Sequence, residues 1–340
     1  MEERKDGGRR EEGTTFYALG IVHVLLFLSI VLIFGSFNGC NGGSQVERSE
    51  DSKNRNPDLS RVKRVDLQRR IPVEQIRSTP ARETFHVAVA AMLSAQRTFE
   101  SHQALLDYLG EYLQMPITFK QRRTYEEVNV LLERGQLELA FICTGAYIAL
   151  KERAPVEIMG VPVIDGKKTY QSYIIVPADS PIQDIAELRE KRFAFTDPLS
   201  NTGKLYPTYL LAQIGTTPDA FFASFTYTNS HDNSIQAVAQ RNVDGASVDS
   251  LVYDQLARDT PHLIEQVRII YKSPPMAIPP VVFGPTVSES LKAKIRTFFF
   301  DLHEDARGRQ ILERLQIERF VAAHDSDYAS LRQMRLLMRN

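Results

Sequence analysis

Several features that would point to particular functions are scarce in this 340-residue sequence. It holds two cysteines, Cys40 and Cys143, which excludes a disulfide framework and a cysteine-rich metal cluster. Its formal net charge is −1, from 41 Lys+Arg against 42 Asp+Glu. A nucleic-acid-binding protein would carry a strong basic excess, so nucleic acid is not a predicted partner. What remains is an ordinary globular composition, with 43% hydrophobic and 24% charged residues.

Sequence signatures of enzymes are scarce as well. The sequence has no Gly-x-Ser-x-Gly elbow and no Walker A motif, and its seven histidines lack metal-binding spacings such as HExxH. Cys143 ends an apolar run, where a buried structural thiol is a better interpretation than a nucleophile. We therefore predict a protein that is not an enzyme, with no catalytic residue, metal or cofactor.

The N-terminal 40 residues contain one long apolar stretch, residues 16–34, interrupted only by His23 and Ser29. Its length is close to the ~20 residues that cross a bilayer. Cys40 follows, preceded by Gly39, in a context similar to a bacterial lipoprotein cleavage site. Residues 1–40 are thus a lipoprotein signal with lipidated Cys40 or an uncleaved membrane anchor, and a free Cys40 is a third alternative. Both main alternatives predict a protein tethered outside the cytoplasmic membrane.

Residues 41–84 are polar and predict a solvated linker. From Phe85 onward, strand-like and helix-like segments alternate, which predicts an α/β fold with mostly parallel sheets flanked by helices. Two such blocks and a helical tail predict two lobes, the first formed by residues 85–172 and 276–340 and the second by residues 173–275. The second block is predicted to contain helices at 182–191, 204–214, 218–225 and 233–241.

The segment from Asp197 to Pro207 follows a predicted strand and opens a helix. Ser200, Asn201 and Thr202 bring hydroxyl and amide groups to the helix start, and Gly203 would let a ligand approach the backbone. Free N–H groups and the positive end of a helix dipole form a cradle for an oxyanion. An ordinary helix N-cap explains the same residues.

Two other predicted strands also end in polar residues, namely Ser94 after the first strand and Thr144 after the strand that ends near Cys143. In open α/β sheets, ligands bind at the carboxyl ends of strands. These residues are expected to line the same cleft as the cradle, or else to serve only as helix caps.

The pattern DP-x-S-x-[ST]-G-x-x-x-P at residues 197–207 resembles the phosphonate-binding proteins of ABC importers, within the phosphate/phosphite/phosphonate periplasmic-binding family. Matching segments occur in order at 87–92, 105–113, 124–128, 139–141, 241–246, 272–275 and 280–282. The resemblance covers about residues 85–334. It implies a two-lobed periplasmic-binding-protein fold of type II.

The resemblance also implies which residues contact the ligand. The anion contacts would be Ser200, Asn201, Thr202 and Gly203, with Asn201 standing where the family usually has Ser or Thr. Further implied contacts are Tyr125, whose alternative is a core position, and Ser172 in a lobe-crossing segment.

Two acidic residues fall where aminoalkyl-phosphonate binders hold the ligand amine. Asp232 is such a candidate, or the cap of a helix beginning at Asn233, and Asp249 is a cleft residue or a solvated turn. Lys204 is the one cation of the loop, and it either contacts the anion or, as a residue at the first helical position, points to solvent.

The function that these observations predict is extracytoplasmic capture of a small phosphorus oxyanion, a phosphonate, phosphate or phosphite, and its delivery to an ABC permease of the cytoplasmic membrane. The alternative is a receptor of a membrane signalling system that senses a ligand in the same cleft.

Overall fold

The computed structural model describes residues 84–338. The predictions made for residues 1–40, for the linker up to residue 83 and for Cys40 lie outside the described residues. Within residues 84–338, no helix is both long and apolar enough to cross a bilayer.

A six-stranded sheet is built from the two ends of the described chain. Across the sheet its strands are β13 (Arg319–Val321), β4 (Glu157–Val163), β12 (Val281–Phe283), β3 (Leu139–Phe141), β1 (Phe85–Val89) and β2 (Ile117–Lys120). Strand β1 runs parallel to β2 and β3, whereas β12 runs antiparallel to β3 and β4. The predicted alternation of strands and helices therefore gives a parallel centre, but three of the five strand pairs are antiparallel, so the sheet is mixed and not mostly parallel as predicted.

Six helices accompany this sheet: α1 (Ala95–Leu113), α2 (Tyr125–Glu133), α3 (Thr144–Lys151), α9 (Glu289–Asp301), α10 (Ala306–Leu315) and α11 (Ala329–Leu337). Alternate residues of β1 lie in different hydrophobic clusters, Ala88 in one and Val87 and Val89 in the other. Since successive strand residues point to opposite faces, both faces of the sheet are buried. Helix α2 begins with a capping box between Thr124 and Glu127.

A five-stranded sheet occupies the middle of the chain. Its strands are β10 (Val267–Lys272), β6 (Ser172–Pro177), β9 (Gly245–Asp249), β7 (Arg192–Phe195) and β8 (Ser224–Tyr227), and its helices are α4 (Tyr206–Gln213), α5 (Pro218–Phe221), α6 (His231–Ala239), α7 (Ser250–Asp259) and α8 (Pro261–Ile264). Strand β7 runs parallel to β8 and β9. The carboxyl ends of β7 and β9 therefore lie at one edge, where the loops described below begin.

Two short strands lie where the chain passes between the sheets. Strand β5 (Thr169–Tyr170) pairs antiparallel with β11 (Met276–Ala277). The outgoing and returning segments are thus held side by side by backbone hydrogen bonds.

Several predicted elements differ from the structure. Residues 182–191 form only a short 3₁₀ turn, Ala186–Leu188, rather than a helix. The predicted helix at 218–225 ends at Phe221 and is followed by the edge strand β8. Strands β4 and β13 were not predicted, because Gly160 and Pro162 interrupt the apolar pattern of β4 and β13 has only three residues.

Candidate functional site

The loop between β7 and α4 carries the predicted oxyanion cradle. The Ser200 hydroxyl accepts a hydrogen bond from the Gly203 N–H at 3.0 Å, and Asn201–Leu205 form one π-helical turn. Ser200, Asn201 and Thr202 are completely buried. The N-cap interpretation of Ser200 is therefore correct for its side chain, while Asn201 and Thr202 take no part in the cap.

Two serines of the neighbouring strands hold this loop in place. The hydroxyls of Ser172 and Ser247 donate to the Thr202 carbonyl oxygen at 2.7 and 2.6 Å and lie 2.9 Å from each other. The predicted site residue Ser172 is therefore at the cradle, where its hydroxyl positions the loop. Ser247 was missed by the sequence analysis, because a small residue in a buried strand carries no functional signal.

Gly203 has no space for a side chain, because protein atoms lie close to the position that a Cβ atom would take. A Cβ there would lie 2.4 Å from the Thr196 Oγ1 atom and 2.9 Å from the Ser200 Oγ atom. The expectation that Gly203 opens room for a ligand thus needs correction, since the missing Cβ makes room for Thr196.

Three polar side-chain atoms around the cradle are buried and have no hydrogen-bond partner: Tyr125 Oη, Asn201 Oδ1 and Thr202 Oγ1. They are half of the six such atoms found among residues 84–338. Buried polar groups are nearly always paired, since leaving one unpaired costs about 1–3 kcal/mol. Their concentration here marks a place where a polar ligand would complete the hydrogen bonding.

Tyr125, the first residue of α2, is hydrogen-bonded to the loop that carries the cradle. Its backbone N–H donates to Asp197 Oδ2 at 3.1 Å, and Asp197 Oδ1 accepts from the Leu199 N–H at 2.7 Å. Burial raises the pKa of Tyr125 well above its usual value, as do the nearby Cys143 and Asp197. The hydroxyl therefore remains protonated and can donate to an anion.

The N-terminus of α3 presses against the same loop. A Cβ on Gly145 would lie 2.2 Å from the Leu199 carbonyl oxygen and 2.9 Å from the Asn201 nitrogen. The buried Thr144 hydroxyl donates to the Ala277 carbonyl oxygen at 3.0 Å. The structure thus brings Thr144 beside the cradle but directs its hydroxyl to the crossing strand β11.

Cys143 lies between these two elements. Its buried thiol accepts hydrogen bonds from the N–H groups of Asn201 and Gly145, yet burial dominates and raises its pKa to about 11. It is therefore neutral at physiological pH, in agreement with the interpretation as a structural thiol.

His231 is a cradle residue that the sequence analysis left out of the site. Its Nδ1 atom accepts from the Asp249 N–H at 3.1 Å and lies 3.0 Å from Thr196 Oγ1, while Nε2 faces Ser200 Oγ at 3.5 Å. Burial lowers its pKa to about 3, so the ring is neutral. Its nearness to Ser200 depends on the packing of α6 against β9, which no local sequence pattern reveals.

Asp249 caps helix α7 and is buried. Its Oδ1 atom accepts from the Leu251 N–H at 2.7 Å, which contradicts the alternative of a solvated turn. Burial raises the pKa of Asp249 to about 7. At neutral pH this carboxyl therefore exists in both its protonated and its ionised form.

Asp232 and Ser94 contact each other. Asp232 Oδ1 accepts from the Ser94 N–H at 2.9 Å, and Asp232 Oδ2 lies 3.7 Å from the Arg97 guanidinium. Helix α6 begins at His231, with Ser230 as its N-cap, so Asp232 is not the cap that was expected. The Ser94 side chain makes no capping hydrogen bond at the start of α1.

Lys204 points away from the cradle. Its Nζ atom lies 3.8 Å from the centre of the Phe195 ring and 4.9 Å from that of Phe225. Burial lowers its pKa to about 8. In this structure the ammonium makes cation–π contacts with these rings, a placement that supports neither of the two alternatives, contact with the anion or exposure to solvent. Within residues 84–338, no group of three or more Asp, Glu, His or Cys side chains could hold a metal ion.

Residues 87–328 match the family model described as the periplasmic substrate-binding protein of ABC phosphonate transporters. The chain belongs to this family. The resemblance predicted from the sequence is thereby confirmed. Members are binding components rather than enzymes, in line with the prediction at the level of the family.

Curated relatives agree with this assignment. The phosphonates-binding periplasmic protein of Escherichia coli is 32% identical over 176 residues, covering 51% of this chain and 52% of that protein. The chain thus spans about half the length of that relative. The phosphate-import protein PhnD of Mycolicibacterium smegmatis is 25% identical over 228 residues, covering 64% of this chain and 71% of that protein.

Two solved structures share the fold. The binding protein of an ABC phosphonate transporter from Pseudomonas aeruginosa has a TM-score of 0.72 at 24% identity, covering 76% of this chain and 87% of its own. PhnD1 from Prochlorococcus marinus, solved with methylphosphonate, has a TM-score of 0.67 at 17% identity, covering 75% of this chain and 98% of its own. The predicted type II periplasmic-binding fold is confirmed.

Proposed function

We propose that this chain binds a small phosphorus oxyanion, a phosphonate, phosphate or phosphite, between its two sheets. The observation that carries the proposal is the set of three buried, unpartnered polar atoms on Tyr125, Asn201 and Thr202 around one helix start. The hydroxyls of Tyr125 and Thr202 donate to the anion, and the helix dipole favours its charge. The names of the relatives from E. coli and M. smegmatis support the same ligand class.

Asn201 takes part by turning its side-chain amide. Its Nδ2 atom donates to the Tyr170 hydroxyl, while Oδ1 faces no partner. A half-turn of the amide presents N–H groups to the anion and lets Oδ1 accept from Tyr170.

The two lobes of this proposal are residues 85–172 with 276–340 and residues 173–275, and the paired strands β5 and β11 form the hinge between them. The ligand enters when the lobes separate, and closure brings Gly145 against the loop at Leu199. The closed form then delivers the ligand to an ABC permease, while residues 1–40 tether the protein outside the cytoplasmic membrane.

Isothermal titration calorimetry of the full chain tests the proposal. Phosphate, phosphite, methylphosphonate and sulfate are titrated into wild-type protein and into a Ser200→Ala/Thr202→Ala double variant. We expect at least one phosphorus oxyanion to bind, and the double variant to lose about 2–3 kcal/mol, or roughly 30–150-fold in Kd.

The matched control is Ser224→Ala/Thr226→Ala, the same changes at two exposed positions of strand β8. It should bind like wild type. Unchanged affinity in a folded Ser200/Thr202 double variant would refute the cradle.

A further inference from the structure

A cavity of about 130 Å³ lies between the two sheets. Fifteen of its nineteen lining residues are apolar, among them Leu251 and Val252 of α7 and Ile278, Ile317 and Phe320 from the other half. A cavity of ~150 Å³ lined by apolar side chains accepts benzene. The cavity is thus suited to a small hydrocarbon group.

This cavity and the cradle share a wall. Asp249 lines the cavity, and its backbone N–H donates to His231, whose ring faces Ser200. Met92 lines the cavity too and packs against the cluster that contains Tyr125 and Cys143. A substituent on an anion held in the cradle would therefore have an apolar space beside it.

The polar groups of the cavity offer little to a charged substituent. His102 has its Nδ1 atom 3.1 Å from the Thr98 carbonyl oxygen and 2.8 Å from Ser101 Oγ, and burial keeps it neutral by lowering its pKa to about 4. Asp249 is the one carboxyl among the residues that line the cavity, and its Oδ1 atom caps α7. Asp232, the other candidate for an amine, is engaged with Ser94 and Arg97 and does not line the cavity.

We infer that this cavity receives the organic substituent of the ligand and that it selects short alkylphosphonates over aminoalkylphosphonates. The inference rests on the proposed function, because the cradle must first hold the phosphonate group. Each methylene that enters the cavity tightens binding about fourfold, the equivalent of ~0.8 kcal/mol. A protonated amine in the same place loses its hydration and meets a single carboxyl, that of Asp249, whose Oδ1 atom already accepts from the Leu251 N–H.

The test is a calorimetric series on the full chain with methyl-, ethyl-, propyl- and butylphosphonate. Propylphosphonate and 2-aminoethylphosphonate form the decisive pair, because they have the same number of non-hydrogen atoms. We expect Kd to fall about fourfold per methylene. Propylphosphonate should bind at least about tenfold more tightly than 2-aminoethylphosphonate.

An Ile317→Phe variant narrows the cavity at a residue remote from the cradle. It should bind methylphosphonate like wild type and lose the gain from propyl and butyl groups. Its control is Ile214→Phe, the same change at a position that is 59% exposed. This variant should keep the gain in affinity from methyl- to butylphosphonate.

The outcomes separate the inference from the function on which it rests. Binding of methylphosphonate with no gain from longer chains, or tighter binding of the amine, overturns the inference alone. Failure of every phosphonate and of phosphate to bind overturns the proposed function and the inference with it.

Discussion

The side-chain amide of Asn201 donates a hydrogen bond to the hydroxyl of Tyr170, 3.0 Å away. Asn201 belongs to the cradle loop, and Tyr170 lies in β5, one of the two strands that cross between the sheets. A residue expected to hold the anion is therefore also linked to the proposed hinge.

A double-mutant cycle with Asn201→Ala and Tyr170→Phe measures this link. A neutral buried hydrogen bond contributes about 0.5–1.5 kcal/mol, so the coupling free energy between the two changes should be about 1 kcal/mol. Urea unfolding of the four ligand-free proteins gives the value. A coupling near zero would contradict a contact between these side chains.

Tyr125→Phe removes a buried hydroxyl that has no partner. Because no hydrogen bond is lost, the free energy of unfolding of the ligand-free protein should stay the same or rise. Affinity for the anion should fall by about 1.5–3 kcal/mol, the contribution of a hydrogen bond to a charged group.

The comparison is Tyr328→Phe, since the Tyr328 hydroxyl donates to the Ile278 carbonyl oxygen at 2.9 Å. This variant should lose about 1 kcal/mol of stability and keep its affinity. If Tyr125→Phe also lost stability and kept its affinity for the anion, the result would argue against a ligand role for Tyr125.

Gly145→Ala places a Cβ against the Leu199 carbonyl oxygen. The clash occurs only when α3 lies against the cradle loop, so affinity for the anion should fall about tenfold or more. Alanine is the better helix former, so α3 itself should not be weakened. Titration calorimetry and thermal unfolding check the two statements. Wild-type affinity would mean that this contact is absent in the bound form.

The pH dependence of stability tests the burial of Asp249. Its pKa of about 7 in the folded chain lies above the ~4 of an unfolded carboxyl. From about pH 4 to 7 the folded state keeps a proton that the unfolded state has lost, so this group lowers the free energy of unfolding as pH rises.

Asp249→Asn removes this titration. The titration of His231 remains in both proteins, and because its pKa is lowered to about 3, it raises the free energy of unfolding as pH rises. The stability difference, wild type minus variant, should therefore fall between pH 4 and 7, by at most ~1.4 kcal/mol per pH unit. A difference that is constant from pH 4 to 8 would show that the pKa of Asp249 is not raised in the folded protein.

Sequence patterns predicted the architecture where hydrophobic periodicity is strong. The apolar periodicity of α1 predicts one stripe, and its three leucines, Leu105, Leu109 and Leu113, are buried as expected. Its other members, Ala104, Tyr108 and Tyr112, are less buried, and Tyr112 is 37% exposed. The helix predicted at residues 182–191 is absent because only Ile182 and Leu188 of that stretch are buried, and most of the other residues are exposed. Periodicity reports burial, and it cannot tell a helix from a turn when few residues are buried.

The part of the candidate site that lies in one continuous segment could be predicted from the sequence. The part that is assembled from distant strands could not. Ser200, Asn201 and Thr202 were found through local spacing. His231, Ser247 and Thr196 come together only through the packing of β7, β9 and α6. The direction of the Lys204 side chain likewise depends on Phe195 and Phe225, from two different strands.

A crystal structure of the full chain with methylphosphonate tests the central claim most directly. The account predicts phosphonate oxygens within hydrogen-bond distance of Tyr125 Oη and Thr202 Oγ1, with the methyl group directed to the cavity beside Asp249. Methylphosphonate bound elsewhere, with those two hydroxyls still unpartnered, would contradict it.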